Sequence, residues 1–284
     1  YEIAQCLVGS EMCIRDRLFD VTLFSDGSNI QRKPKGHLYL YPLIAIAAML
    51  AIVFVMDLPH MHKPKQQLSQ TIRIPAGQRA QMDLPDGSVV WLNSQTTLTY
   101  DENFGKKDRK VTLDGEAYFE VAHNKEIPFY VQTENIKVQV TGTKFDVCSY
   151  KGSNSFIARL IEGSINLLTN NAKEEKPITS LTKGKYFSME NGKYKTGEMS
   201  SNNALAWMQG IYYFDDVPFK ELLDKIALYY NYKITVKNPK ILENYRCTGK
   251  FKDLDGIEHI LKVIQKDHPF KYNIDNEHNK ITIE

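Results

Sequence analysis

Two kinds of hydrophobic pattern divide the chain. From Leu38 to Asp57, "LYLYPLIAIAAMLAIVFVMD", apolar side chains would point in every direction of a helix, with no polar stripe. Its roughly 19 uncharged residues approach the ~20 helical residues that cross a hydrocarbon core of about 30 Å, so a single transmembrane helix is expected over residues 38–57. Tyr39 and Tyr41 suit a headgroup layer, and Pro42 falls in the first turn, where a missing N–H costs little. From Gln70 onward the pattern is different. Short runs such as "IKVQV" (Ile136 to Val140) alternate apolar and polar residues with the period of a half-buried strand. Between the two lies a Pro- and His-containing connector, residues 58–69.

The turns of the β-patterned part share their content. "PDGSVVW", "LDGEAYF" and "IEGSINL" each place an acidic residue and a glycine ahead of a strand, and the apolar residues two and four positions after the glycine fall on one strand face. These are Val89 and Trp91, Ala117 and Phe119, Ile165 and Leu167. "LTKGKYFSM" repeats the turn and breaks the rule at Ser188. Residues 70–189 therefore read as an all-β domain: a sandwich, a jelly roll or a β-helical stack, which the pattern does not separate. "NAKEEK" reads as a solvated hairpin tip. Residues 190–205, "ENGKYKTGEMSSNNAL", carry Gly, Ser and Asn without periodicity and read as a linker.

The period then lengthens. "IYYF" is a strand, and Phe219, Leu222, Leu223, Ile226, Ala227 and Tyr230 fall on one face of a helix that starts after Asp216 and Pro218. "YKITV" is the returning strand. The unit repeats with "YRCTGKF", a helix carrying Ile257, Ile260, Leu261 and Ile264, and a closing hairpin of "KYNID" and "KITIE". Residues 206–284 are thus expected to form a small α+β module of two βαβ-like units. The fold class is mainly β plus α+β, with one transmembrane helix.

Composition narrows the function. The 284 residues are 42% hydrophobic and 25% charged, ordinary for globular protein, and a net charge of +2 leaves no electrostatic footprint for nucleic acid. Arg32, Lys33 and Lys35 before the span outweigh Lys63 and Lys65 after it, which orients the N-terminus toward the cytoplasm and the C-terminal domains outside. Cys6, Cys13, Cys148 and Cys247 are too scattered for a disulfide framework or a zinc site, and a Cys148–Cys247 pairing stays open. "CLVGSEMCIRDR" (Cys6 to Arg17) looks like translated adapter read-through, so residues 1–17 are set aside and 18–37 are taken as a cytoplasmic remnant.

Candidate chemistry is sparse. His60, Met61 and His62 would suit copper, but no further ligand cluster completes a site, and they are read as connector. Glu116, Glu120 and His123 bring acid–base groups together in sequence; they are read as surface positions of a strand. No G-x-S-x-G, H-E-x-x-H or P-loop is present, so neither enzyme activity nor a cofactor is expected. Trp91 is assigned to the core. Trp207, Tyr212, Tyr213 and Phe214 are either core or interface.

Longer motifs carry a resemblance. "IPAGQRAQMDLPDGSVVWLNSQTTLTY", "VTLDGEAYFEVAHNKEIPFYV", "VQVTGTKFDV" and "IEGSINL" resemble the periplasmic domain of the FecR family of transmembrane anti-sigma regulators. "WMQGIYYFDDVPFKELLDKIALYYNYKITV" and "TGKFKDLDGIEHILKVI" resemble the C-terminal domain that follows it in Bacteroidota-type members. The resemblance implies an inner-membrane protein that receives a periplasmic signal from the signalling domain of a TonB-dependent outer-membrane transporter. It passes that signal to an extracytoplasmic-function sigma factor through a small helical cytoplasmic domain, which this chain lacks. Partner-contact candidates are Trp207, Tyr212 and Phe214, together with the terminal strand Lys280, Ile281, Thr282, Ile283 and Glu284 as an edge that accepts a partner strand. The alternative is a membrane-tethered periplasmic binding or scaffold module without sigma-factor control.

Overall fold

The computed structural model describes residues 40–57, 68–106, 108–170, 175–199 and 202–284. The chain divides into two units, Tyr1–Lys65 and Gln66–Glu284. In the first, helix α1 (Leu40–Asp57) is 18 residues long. Its side chains from Ile44 to Val53 are all exposed. Among the described residues no helix is long and apolar enough to cross a membrane. Leu38 and Tyr39, which the expected span included, and the His60–His62 cluster lie outside the described residues.

The second unit begins with thirteen strands: β1 (Ser69–Arg73), β2 (Ala80–Asp83), β3 (Val89–Leu92), β4 (Thr97–Asp101), β5 (Arg109–Glu120), β6 (Phe129–Gln132), β7 (Ile136–Val140), β8 (Lys144–Ser149), β9 (Ser155–Glu162), β10 (Ser164–Thr169), β11 (Pro177–Thr182), β12 (Lys185–Glu190) and β13 (Lys193–Glu198). They form two facing layers that share β5. One runs β1-β4-β5-β6-β7-β10-β11, the other β2-β3-β5-β8-β9-β12-β13. Successive hairpins alternate between the layers: β6–β7 in the first, β8–β9 in the second, β10–β11 in the first, β12–β13 in the second. The architecture is a sandwich built by stacking hairpins.

Glycine allows the chain to change layers. β5 pairs with β4 up to Asp114 and with β8 from Gly115 onward. Gly115 has φ 134, and a Cβ there would stand 2.4 Å from Thr96 Oγ1. That hydroxyl lies 3.0 Å from the Glu116 N–H and 3.1 Å from its carbonyl oxygen, so it closes the bend. The shared core contains Val111, Leu113, Val131 and Leu167 from one layer and Val90, Leu92, Phe119, Phe145, Phe156 and Phe187 from the other.

Two expectations shift by one residue or one element. In β3 the inward residues are Val90 and Leu92, three and five positions after the glycine, so Val89 and Trp91 lie on the opposite face. The run "VVWL" is apolar throughout, and alternation could not set its register. The stretch read as a linker contains β13, which pairs with β12 across an Asn191-Gly192 turn with φ values of 48 and 77. Asn-Gly at positive φ is a hairpin signal. The strand lacks periodicity because almost all of it is exposed.

A 3-10 segment (Asn202–Gln209) leads into β14 (Ile211–Pro218), α2 (Phe219–Tyr230), β15 (Lys233–Val236), β16 (Arg246–Lys252), α3 (Gly256–Asp267), β17 (Tyr272–Asp275) and β18 (Lys280–Ile283). The two helices bury the faces read from their period: Phe219, Leu222, Leu223 and Ile226 on α2, and Ile257, Ile260, Leu261 and Ile264 on α3. The two βαβ-like units interleave and do not stand side by side. β14 pairs with β16 and β15 pairs in parallel with β18, so the strands flanking each helix belong to different sheets. A second core forms around both helices and both sheets.

Candidate functional site

The outer face of the second layer is where function-bearing residues converge. Period-two alternation sends Phe119, Phe145 and Leu160 into the core and their neighbours outward. Cross-strand register then sets Trp91, Tyr118, Asp146, Arg159 and Tyr186 side by side across β3, β5, β8, β9 and β12. One step along, Glu116, Cys148 and Ile157 form a second row. A free sandwich would expose both rows, yet Glu116 is only 4% exposed and Asp146 0%.

The C-terminal module covers them. Trp207 and Tyr212 pack in the same cluster as Tyr118, with Trp91 and Ile161 against it, and the Trp91 and Tyr118 rings lie 5.4 Å apart. Tyr212 stacks on Tyr229 at 4.1 Å and 12°. The last carbonyls of a helix lack intrahelical donors. Here the sandwich supplies them: Ser94 Oγ donates to the Tyr229 carbonyl at 3.2 Å, and Gln95 Nε2 donates to that of Leu228. At the margin of this seam Arg79 Nη2 pairs with Asp253 Oδ2 at 2.6 Å.

Beneath the module two carboxylates contest one guanidinium. Arg159 Nη1 lies 2.5 Å from Asp146 Oδ2 and 3.8 Å from Glu116 Oε1, while Asn93 Nδ2 donates to Glu116 Oε2 at 2.6 Å. Burial, and then the neighbouring Asp146 charge, push the Glu116 carboxyl from 4.5 up to about 7. Burial also raises Asp146 against the opposing pull of Arg159. Desolvation works against the Arg159 charge, but Asp146 and Glu116 hold that guanidinium protonated, above its ordinary value. The Trp207 indole N–H stands close enough to Asp146 to favour its carboxylate, although neither the indole nitrogen nor Asp146 Oδ1 makes a hydrogen bond of ordinary geometry. A cavity of about 110 Å³ lies against Glu116, Arg159, Trp207, Tyr212, Lys225 and Tyr229.

This arrangement clasps and offers no poised nucleophile. Burial pushes the Cys148 thiol well up, Tyr212 up to about 12, and Tyr118, Tyr150 and Tyr229 upward as well. Glu116 and Glu120 sit four residues apart on β5, about 13 Å along a strand, beyond the spacing of a glycosidase pair. Glu120 instead accepts from the Tyr118 hydroxyl at 3.3 Å and faces Lys144 at 3.7 Å. Cys148 and Cys247 are both free thiols. Among the described residues no His, Cys, Asp or Glu group could hold a metal ion.

The partner-contact candidates are placed differently from expectation. Trp207, Tyr212 and Phe214 are 3%, 4% and 1% exposed, because they fill the module's core and its seam with the sandwich. Lys280, Ile281, Thr282 and Ile283 form β18, the central strand of three, with Glu284 following it, so this segment is no edge. Its ladder groups are taken by β15 on one side and β17 on the other. Trp91 packs into the seam and does not enter the sandwich core. Asp146 and Arg159 escaped the sequence reading because their strands signal only which residues point outward, not what covers them.

The fold and its seam define a two-part protein in which a β-sandwich and an α+β module are clasped into one body. The description "FecR protein" matches residues 70–166, and "FecR, C-terminal" matches residues 211–283. The chain belongs to the FecR family. Its fold is similar to two crystal structures of a candidate anti-sigma factor from Parabacteroides distasonis, at 25% and 24% identity. Each has a TM-score of 0.65 and covers 76% of this chain and 98% of the solved one. None of the curated proteins matches the chain.

Proposed function

We propose that this protein is a membrane-anchored anti-sigma regulator and not an enzyme. It relays a periplasmic signal from the signalling domain of a TonB-dependent outer-membrane transporter to an extracytoplasmic-function sigma factor. The observation that carries the reading is the pairing of the two FecR parts, in order, on one clasped body. The helix preceding them supports an inner-membrane anchor, because its side chains from Ile44 to Val53 are all apolar and exposed, with no polar stripe. A single span carries no substrate, so partner binding outside must favour one state of the regulator over another to have an effect inside.

β18 is internal, and in its sheet the open edges for a partner strand are β15 and β17. The test uses the full chain in native membranes, with a tagged transporter signalling domain as bait and transcription from the sigma-dependent promoter as readout. Capture of the regulator, together with altered transcription when its gene is deleted, is the expected result. Capture with unchanged transcription favours the tethered periplasmic module; no capture and no transcriptional change defeats the relay.

A further inference from the structure

We propose that the seam between sandwich and C-terminal module is a proton-operated clasp, in which a proton carried by Glu116 beside Asp146 and Arg159 holds the module closed and its loss loosens the module. Two buried carboxylates facing one guanidinium leave a negative charge that burial does not tolerate, and a proton is the simplest neutraliser. Asp146 holds Arg159 at hydrogen-bond length, whereas Glu116 Oε1 stands 3.8 Å away, so Glu116 is the group left to carry the proton.

The groups facing Glu116 come from every element packed against it. Asn93 follows β3, Asp146 and Cys148 lie on β8, Tyr150 follows it, and Arg159 lies on β9. From the module come Tyr212 on β14, with Lys225 and Tyr229 on α2. Lys225 does not replace Arg159, because its ammonium is paired with Glu221 at 2.8 Å. The thiol and phenols stay neutral, so they add no charge to balance the pair. The carboxyl value of about 7 puts the release of the proton near neutrality, where modest acid or alkali acts on the seam.

Both tryptophans of the chain, Trp91 and Trp207, lie in this seam, so their emission reports its opening directly. The experiment titrates the full chain from about pH 5 to about pH 9, recording tryptophan emission, acrylamide quenching and far-ultraviolet circular dichroism. The expected result is a red shift and roughly a twofold rise in quenching with a midpoint near 7, at unchanged secondary structure. In Glu116→Gln the transition disappears and the low-pH signal persists throughout. His123→Gln and His268→Gln keep the transition, which ties it to the seam carboxyl. An unchanging wild-type signal, a transition that survives in Glu116→Gln, or one lost in either histidine variant overturns the proposal.

Discussion

Two regions of the β-sandwich set an arginine against buried partners, and they use it in opposite ways. Arg109 is 2% exposed, and each of its three guanidinium nitrogens has a partner. It donates to the carbonyls of Ile127, Ala122 and Asn124 at 2.7, 2.7 and 3.0 Å and pairs with Asp86 at 3.2 Å. Arg159 is divided between two carboxylates that it cannot neutralise together. The first arrangement pins a loop inside one domain. The second lies on the sandwich face that the module covers and leaves one negative charge that a single proton removes. A buried ion network that is complete holds structure; one short of a charge is conditional.

The largest effect that would break this comparison is at Arg109. Arg109→Met leaves three carbonyls and Asp86 without their donor, and urea unfolding should show a loss of about 3–5 kcal/mol. Arg159→Met sharpens the contrast. Both seam carboxylates then lack a countercharge, so the loss should be about 3 kcal/mol at pH 8 and nearer 1 at pH 5, where protons take its place. The sign in the wild type follows from Glu116, whose folded value is raised from 4.5 to about 7. Its contribution is fully present below 4.5 and is lost as pH rises through 7. Over that window roughly 3 kcal/mol of stability should disappear, which thermal melting across pH would register. The smallest effect is at Gln95. Gln95→Ala removes a neutral donor from the α2 terminus and should cost about 1 kcal/mol, independent of pH.

The helices of the module were legible because their apolar positions recur at helical spacing, and α2 and α3 bury the residues that this spacing selects. Strand content was legible from alternation and glycine turns. The register of β3 was not, since four consecutive apolar residues fit either face. β13 was hidden because an exposed edge strand needs no alternation, although its Asn-Gly turn was in plain view. Of the site, Glu116 stood out as an acid in a strand motif. Its burial depends on α2 and Trp207, which lie about a hundred residues further along the chain.

By itself the sequence determined the apolar segment, the change from period two to helical period, and the motifs that place the chain in its family. Each depends on neighbours within a few residues, which is the range over which side-chain direction follows from spacing. The tertiary structure alone decided that β18 is central, that Trp91 faces the seam, and that Glu116 and Asp146 share Arg159. Those outcomes depend on which distant surface covers an outward face. Pattern along the chain says that a residue points outward; only packing says whether it meets water or another domain.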